Sequence, residues 1–278
     1  MTMNNTIKIT LWSMVVIGLA VLGCRKKQEY YAPHSSSPSP SPASAPYRAE
    51  PQPVEPVAPV VNPTRETAWP FAPVDNREVS PSELWTTKNY LVILDSSGSM
   101  AERGCSSSES KLTVAKRAIE AFSRSVPADA NLGFVLFDQR SDPRQLVSLG
   151  LNNREKFIVE VNSARDGGGT PLTEALHLAY QAINKEAVKQ LGYGEYMIVV
   201  VTDGIANDEY SLHHLVTQIT SESPVVIYTI GFCIGNRHTL NQPNTTIYKE
   251  ANSPEELAEA LKGVLAESEE FVVTEFEK

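Results

Sequence analysis

Asn89-Tyr90-Leu91-Val92-Ile93-Leu94-Asp95-Ser96-Ser97-Gly98-Ser99-Met100 is the stretch on which the reading of this chain turns. From Tyr90 to Leu94 it is continuously apolar, without the alternation of a strand that keeps one face in water. Such a run is expected of a strand buried on both faces of a sheet. It then gives way at once to an acid, three serines and a glycine. A buried strand that ends in small oxygen-bearing residues fits an open α/β sheet, in which ligands bind beyond the carboxyl ends of the strands.

Outward from this segment the same alternation repeats. Lys111 to Val126 places Leu112, Ala115, Ile119, Phe122 and Val126 on one helical stripe. Leu132–Phe137 reads as a second buried strand, and Gln145–Leu149 as a short third at an edge. Asn153 to Ala164 and Leu172 to about Gln190 read as helices. Tyr196–Val201 is the most apolar strand, and Leu212, Leu215, Val216 and Ile219 mark a short helix after it. Val225–Ile230 is again a buried strand, with an edge strand expected near Thr246–Tyr248. Ser253-Pro254-Glu255-Glu256 opens the last helix: serine caps, proline takes the first helical position and Glu256 completes a capping box. Strands alternating with helices predict a doubly wound, mostly parallel central sheet with helices on both faces.

The residues just after the strands are then the place to look for chemistry. Asp95-Ser96-Ser97-Gly98-Ser99 follows the first strand, Thr202-Asp203-Gly204 follows Tyr196–Val201, and Gly167-Gly168-Gly169-Thr170-Pro171-Leu172 precedes a helix. Two carboxylates and three hydroxyls make little sense as core packing. They suit a hard divalent cation, which takes oxygen ligands, and the glycines let the backbone turn tightly enough to present them.

In order, spacing and strand context, Asp95-x-Ser97-x-Ser99, Thr170 and Asp203 resemble the metal-ion-dependent adhesion site of von Willebrand factor type A domains. The resemblance covers roughly residues 86–266. It implies that Ser97 and Ser99 bind the ion through their hydroxyls, and that Thr170 binds directly or through water. Asp95 and Asp203 would act largely through ordered waters and hydrogen bonds. The implied cofactor is Mg²⁺, or Mn²⁺ or Ca²⁺ in its place. The implied partner is a protein whose Asp or Glu fills one open coordination position. Few directly bound anionic ligands would leave the ion electron-poor, so an outside carboxylate gains by completing its shell.

Other motifs carry less. Ser108-Glu109-Ser110-Lys111 has the S-x-x-K spacing of serine acylases, but neither S-D-N nor K-T-G follows. The second aspartate of an aspartyl phosphatase would stand where Ser97 is. His213-His214 falls on the polar side of a helix, and His34, His177 and His238 are isolated, with no zinc spacing. No histidine closely follows the metal-bearing strands to act as a general base, so the chain is read as a non-enzyme. A metal-assisted hydrolase at the same cluster and a purely structural envelope protein stand as alternatives. Cys105 and Cys233 both fall in loops on the predicted metal-bearing edge. The two loops lengthen the compact family pattern, at Ala101–Ser110 and Cys233–Asn244. They are expected to rim the site, and their cysteines form a possible disulfide.

The N-terminal part differs in kind. One positive charge, Lys8, precedes a run of 14 residues, Ile9–Leu22, that is almost wholly apolar. That is shorter than the roughly 20 residues a spanning helix needs, and reads as a secretory signal. Val21-Leu22-Gly23-Cys24 resembles the lipobox of bacterial lipoproteins, which implies cleavage after Gly23 and lipidation of Cys24. Several acyl chains on one residue anchor a protein stably where a single chain does not. Arg25 follows Cys24, and in a diderm bacterium that implies the outer membrane. Of 19 prolines in the chain, 13 lie between Pro33 and Pro81, so this segment is expected to be an extended spacer. Fully drawn out it would reach on the order of 170 Å. The expected organisation is a signal peptide at 1–23, a Pro/Ser-rich linker at 24–84, the α/β domain at 85–267 and a tail at 268–278. A net charge of −9 over 278 residues argues against a nucleic-acid partner and against attraction to anionic lipid. Membrane attachment would therefore rest on Cys24, placing the protein in the bacterial cell envelope.

Overall fold

The computed structural model describes residues 68–71, 82–138 and 142–267. The signal peptide, Cys24, most of the linker and the C-terminal tail lie outside the described residues. Contacts divide the chain into Met1–Ala58 and Pro59–Lys278, and every described residue belongs to the second unit.

In chain order the elements are β1 (Lys88–Asp95), a hairpin of β2 (Arg103–Gly104) and β3 (Ser107–Ser110), α1 (Lys111–Ser125), β4 (Asn131–Phe137), β5 (Arg144–Gly150), α2 (Arg154–Ser163), α3 (Leu172–Lys189), β6 (Glu195–Thr202), α4 (Glu209–Glu222), β7 (Val226–Phe232), β8 (Ile247–Ala251) and α5 (Pro254–Glu267). The main sheet has six strands in the order β5-β4-β1-β6-β7-β8. Only β5 runs antiparallel to its neighbour. This is the doubly wound, mostly parallel α/β fold expected from the strand pattern. The short hairpin β2–β3 had no apolar signal and was not foreseen from sequence. The helix expected to be short, α4, runs to 14 residues.

Period-two geometry explains the layers. Tyr90, Val92 and Leu94 of β1 point into one core with Leu112 and Ile119 of α1, Phe157 of α2 and Leu257 of α5. Leu91 and Ile93 point into the other, with Leu176 and Ile183 of α3 and Leu212 of α4. A strand buried on both sides must be apolar throughout, which is why Tyr90–Leu94 shows no alternation. At the start of α5, Ser253 Oγ accepts from Glu256 N (3.1 Å), and the Glu256 carboxylate accepts from Asn252 N (2.7 Å), one residue earlier than in a simple capping box.

The chain leaves β1 toward β4 and β5 on one side, then returns to lay β6 on the other. The order therefore reverses between β1 and β6, and their carboxyl ends open a crevice there. At the opposite pole Trp69, Pro70 and Phe71, inside the segment read from sequence as linker, lie against the domain. Trp69 meets Tyr196 edge-on with ring centroids 4.9 Å apart, and Phe71 N donates to Asn184 Oδ1 at 2.8 Å. Among the described residues no helix is long and apolar enough to cross a membrane.

Candidate metal centre

All five oxygen-bearing residues singled out from sequence come together at the β1/β6 crevice. Asp95 ends β1, and the buried register Leu94 opposite Val201 brings it beside Thr202. Thr202 Oγ1 donates to Asp95 Oδ2 at 2.6 Å, and Ser97 N donates to Asp95 Oδ1 at 2.8 Å. Each carboxylate oxygen thus has one protein donor, and the side chain is fixed in direction. Ser97 and Ser99 hydroxyls lie 3.1 Å apart, and Ser99 Oγ donates to Asp203 Oδ1 at 2.7 Å.

Thr170 reaches this group through a second loop. Gly98 N donates to Gly168 O (3.1 Å) and Gly167 N to Ser96 O (3.0 Å), which lashes the glycine loop to the serine loop. Gly167 and Gly168 take φ of 138° and 78°, a region that other residues avoid. The convergence is visible from Gly204: a methyl group there would sit 3.1 Å from Thr170 Oγ1 and 3.6 Å from both Asp95 Oδ2 and Ser99 Oγ. Three oxygens from two separate segments, the end of β1 with its serine loop and the glycine loop, surround one small space, which the absence of a Cβ at Gly204 leaves open.

The electrostatics suit a cation. Asp95 is fully buried, and burial pushes its carboxyl up to about 6, against the hydrogen bonds from Ser97 and Thr202 that favour ionisation. A buried carboxylate that ionises with difficulty is the situation that a bound cation relieves. No cluster of three or more His, Cys, Asp or Glu side chains suited to a metal occurs among the described residues. The candidate donors here are two carboxylates and three hydroxyls, a hard-oxygen set that matches magnesium or calcium rather than zinc. The Ser97, Ser99 and Thr170 hydroxyls and the Asp95 and Asp203 carboxylates are the side chains that could hold such an ion.

Three further residues support the site and were not singled out from sequence. Lys111 Nζ lies 2.8 Å from Asp203 Oδ2 and 3.0 Å from Glu102 Oε2. Burial alone would lower its pKa, but the bonds to these two carboxylates outweigh it and hold the ammonium above its ordinary value. Asn207 fastens Thr170, and His238 Nε2 donates to the carbonyl of Gly204 at 2.9 Å while its Nδ1 accepts from Leu240 N at 3.0 Å. His238, isolated in the sequence, is 8% exposed, and burial lowers its pKa. Ser108 of the S-x-x-K match lies on the β2–β3 hairpin, and the lysine of that match is the one paired with Asp203.

The two loop cysteines also meet. Cys105 and Cys233 are joined as a disulfide with Cα atoms 5.9 Å apart, although β6 separates β1 from β7 in the sheet. Both take positive φ, 60° and 61°, so each loop turns sharply at its cysteine toward the other. The bridge ties the hairpin that follows Glu102 and leads into Lys111 to the end of β7.

Residues 90–205 match the family model of the von Willebrand factor type A domain. The uncharacterized protein YwmC of Bacillus subtilis (strain 168) is 26% identical over 145 residues, 48% of this chain and 61% of YwmC. The chain thus matches about three fifths of that relative's length. Among solved structures, a von Willebrand factor type A protein from Catenulispora acidiphila superposes with a TM-score of 0.53 at 17% identity, over 66% of this chain and 43% of that one. The pilus adhesin SpaC of Lactobacillus rhamnosus GG gives 0.53 at 13% identity, over 68% and 31%. A D319A mutant of the PilB minor pilin of Streptococcus sanguinis gives 0.53 at 12% identity, over 68% and 63%. At these identities the superpositions speak for the fold alone. Together with the family model matched over residues 90–205, the sheet order and the helices on both faces, they show that the globular part of this chain has a fold similar to that of von Willebrand factor type A domains.

Proposed function

We propose that this protein is a lipid-anchored binding module of the bacterial cell envelope, whose type A domain captures an acidic side chain of a protein partner through a divalent ion. The observation that carries the reading is the gathering of Asp95, Ser99 and Thr170 around the space at Gly204, with Ser97 and Asp203 in hydrogen-bond contact with Ser99. When bound there, Mg²⁺, Mn²⁺ or Ca²⁺ would supply a positive, coordinatively incomplete centre for a carboxylate from outside. The chain's own residues do the rest. Thr202 and Ser97 N aim Asp95, Ser99 bridges to Asp203, and the glycine loop delivers Thr170.

A binding role is favoured over hydrolysis because His238 has both ring nitrogens engaged and is buried, so it is not free to move a proton at the site. Adhesion is consistent with the pilus adhesin and minor pilin among the proteins of similar fold. Anchoring rests on Cys24, and the long proline-rich stretch would let the domain reach away from the surface that holds it.

Titration calorimetry with Mg²⁺ and Mn²⁺ tests the centre. The intact protein is expected to bind one ion, and Asp95→Ala or Ser97→Ala to lower the affinity at least tenfold. Binding unchanged in both variants would refute the site. Lipidation is tested separately: Cys24→Ala should move the protein from the membrane fraction to the soluble fraction, and unchanged fractionation would remove the anchor.

A further inference from the structure

We propose that Lys111 is a built-in counter-cation of the metal centre, which holds divalent-ion affinity down and leaves a bound ion more demanding of an outside carboxylate. This rests on the reading of the five-oxygen cluster as a metal centre.

Lys111 is the first residue of α1 and only 8% exposed, a degree of burial that lysine reaches only when paired. Its backbone N donates to Glu102 O at 2.9 Å, and its ammonium lies between Glu102 Oε2 (3.0 Å) and Asp203 Oδ2 (2.8 Å). The other Asp203 oxygen, Oδ1, accepts from Ser99. Asp203 thus turns one oxygen to the hydroxyl cluster and the other to a fixed positive charge. Helix stability does not explain the placement. The N-terminus of a helix carries partial positive charge and disfavours a cation in its first turn.

The consequence is electrostatic. An ammonium held on a carboxylate of the site offsets that charge before any ion arrives, and repels a dication through a partly buried medium that screens weakly. With Lys111 in place the cluster presents less net negative charge, so an ion is held less tightly. The ion that does bind gains more when a carboxylate from a partner supplies the missing charge. Lys111 therefore acts through Asp203, as a positioning and charge-setting residue rather than a ligand.

The test follows free Mn²⁺ by electron paramagnetic resonance in titrations of the full chain in detergent. Lys111→Met, similar in length but uncharged, is expected to bind Mn²⁺ on the order of tenfold more tightly than the unaltered protein. Lys111→Arg should stay within about threefold of it, because the charge is kept. Glu102→Gln should move the other way, weakening Mn²⁺ severalfold, because it leaves the ammonium less offset. A folded Lys111→Met variant with unchanged or weaker Mn²⁺ affinity overturns the proposal. Should that variant not fold, Glu102→Gln with unaltered affinity overturns it equally. If the unaltered protein binds no Mn²⁺, the metal-centre reading itself fails and this inference falls with it.

Discussion

Asn207 grips Thr170 at two points: its side-chain Oδ1 accepts from Thr170 N at 3.0 Å, and its own backbone N donates to Thr170 O at 3.0 Å. The loop after β6 is thereby stapled to the glycine loop, and the Thr170 hydroxyl is held toward Asp95 and Ser99. Asn207→Ala removes the first of these bonds and leaves the second. We expect a stability loss of about 1 kcal/mol. The expected fall in Mn²⁺ affinity is larger, severalfold or more, because a loosened Thr170 no longer meets the other oxygens. Urea unfolding and Mn²⁺ titration on the same preparation check both. Equal affinity in variant and parent would show that Asn207 does not position Thr170.

Gly204→Ala tests the space itself. The added methyl would lie 3.1 Å from Thr170 Oγ1, tight enough that the hydroxyl must shift, and would enter the opening among Asp95, Ser99 and Thr170. The fold should survive at a cost of about 1–3 kcal/mol, since the nearest atoms belong to side chains that can shift. Divalent-ion affinity should fall more than tenfold. A folded variant that binds Mn²⁺ as well as the parent would mean that the ion sits elsewhere.

These two positions show what was legible in the sequence and what was not. Asp95, Ser97, Ser99, Thr170 and Asp203 stand out because each follows a buried strand or opens a helix, where packing gives no reason for hydroxyls and carboxylates. Asn207 carries no such mark, since it lies in a polar loop where asparagine is ordinary. Lys111 is 92 residues from Asp203 and looks like the charged start of an amphipathic helix. Only the fold reveals that its ammonium turns inward. His238 sits 34 residues from Gly204 in the loop expected to rim the site, and the faint clue is the apolar Leu240 two residues on, which the fold buries fully. Strand order was legible as a class but not in detail. The edge strand at Gln145–Leu149 was legible, but its antiparallel direction and the β2–β3 hairpin depend on pairing partners that apolar periodicity does not specify.

His238 gives a pH dependence with a definite sign. Its ring faces the Gly204 carbonyl, the stacked Tyr248 ring at 6.0 Å and, more distantly, the Glu209 carboxylate. Burial lowers its pKa below the ordinary 6.5, and Glu209 and the Gly204 carbonyl only partly oppose this. Below about pH 6.5 the unfolded chain takes up a proton that the folded chain refuses, so this histidine's contribution to stability falls with acidification until its folded pKa is passed. Protonation at Nδ1 would also break the bond from Leu240 N. His238→Gln keeps a donor for Gly204 O and cannot titrate. Near pH 7.5 it should cost up to about 1 kcal/mol, and the gap to the parent should narrow or reverse toward pH 5. Urea unfolding at the two pH values measures it, with other titrating groups, Asp95 included, common to both proteins. A gap that stays constant would rule out titration of His238 in this range.

Trp69 allows the two poles of the domain to be separated experimentally. Its ring packs edge-on against Tyr196 at the start of β6, and beside it Asn184 both accepts from Phe71 N (2.8 Å) and donates to Phe71 O (3.1 Å). Ser82 N adds a bond to Lys189 O at 2.7 Å at the end of α3. The chain therefore enters the domain at the amino end of β6, while the five-oxygen cluster proposed to hold a metal lies at its carboxyl end. Trp69→Ala removes a half-buried ring and its aromatic contact, for which we expect about 2 kcal/mol of lost stability and a melting temperature lower by several degrees. Because the whole length of β6 separates Trp69 from Asp203, Mn²⁺ affinity should not change. A variant that melts like the parent would show that Trp69 adds nothing to the domain, and one that loses Mn²⁺ binding while still folded would show that the two poles are coupled through the sheet.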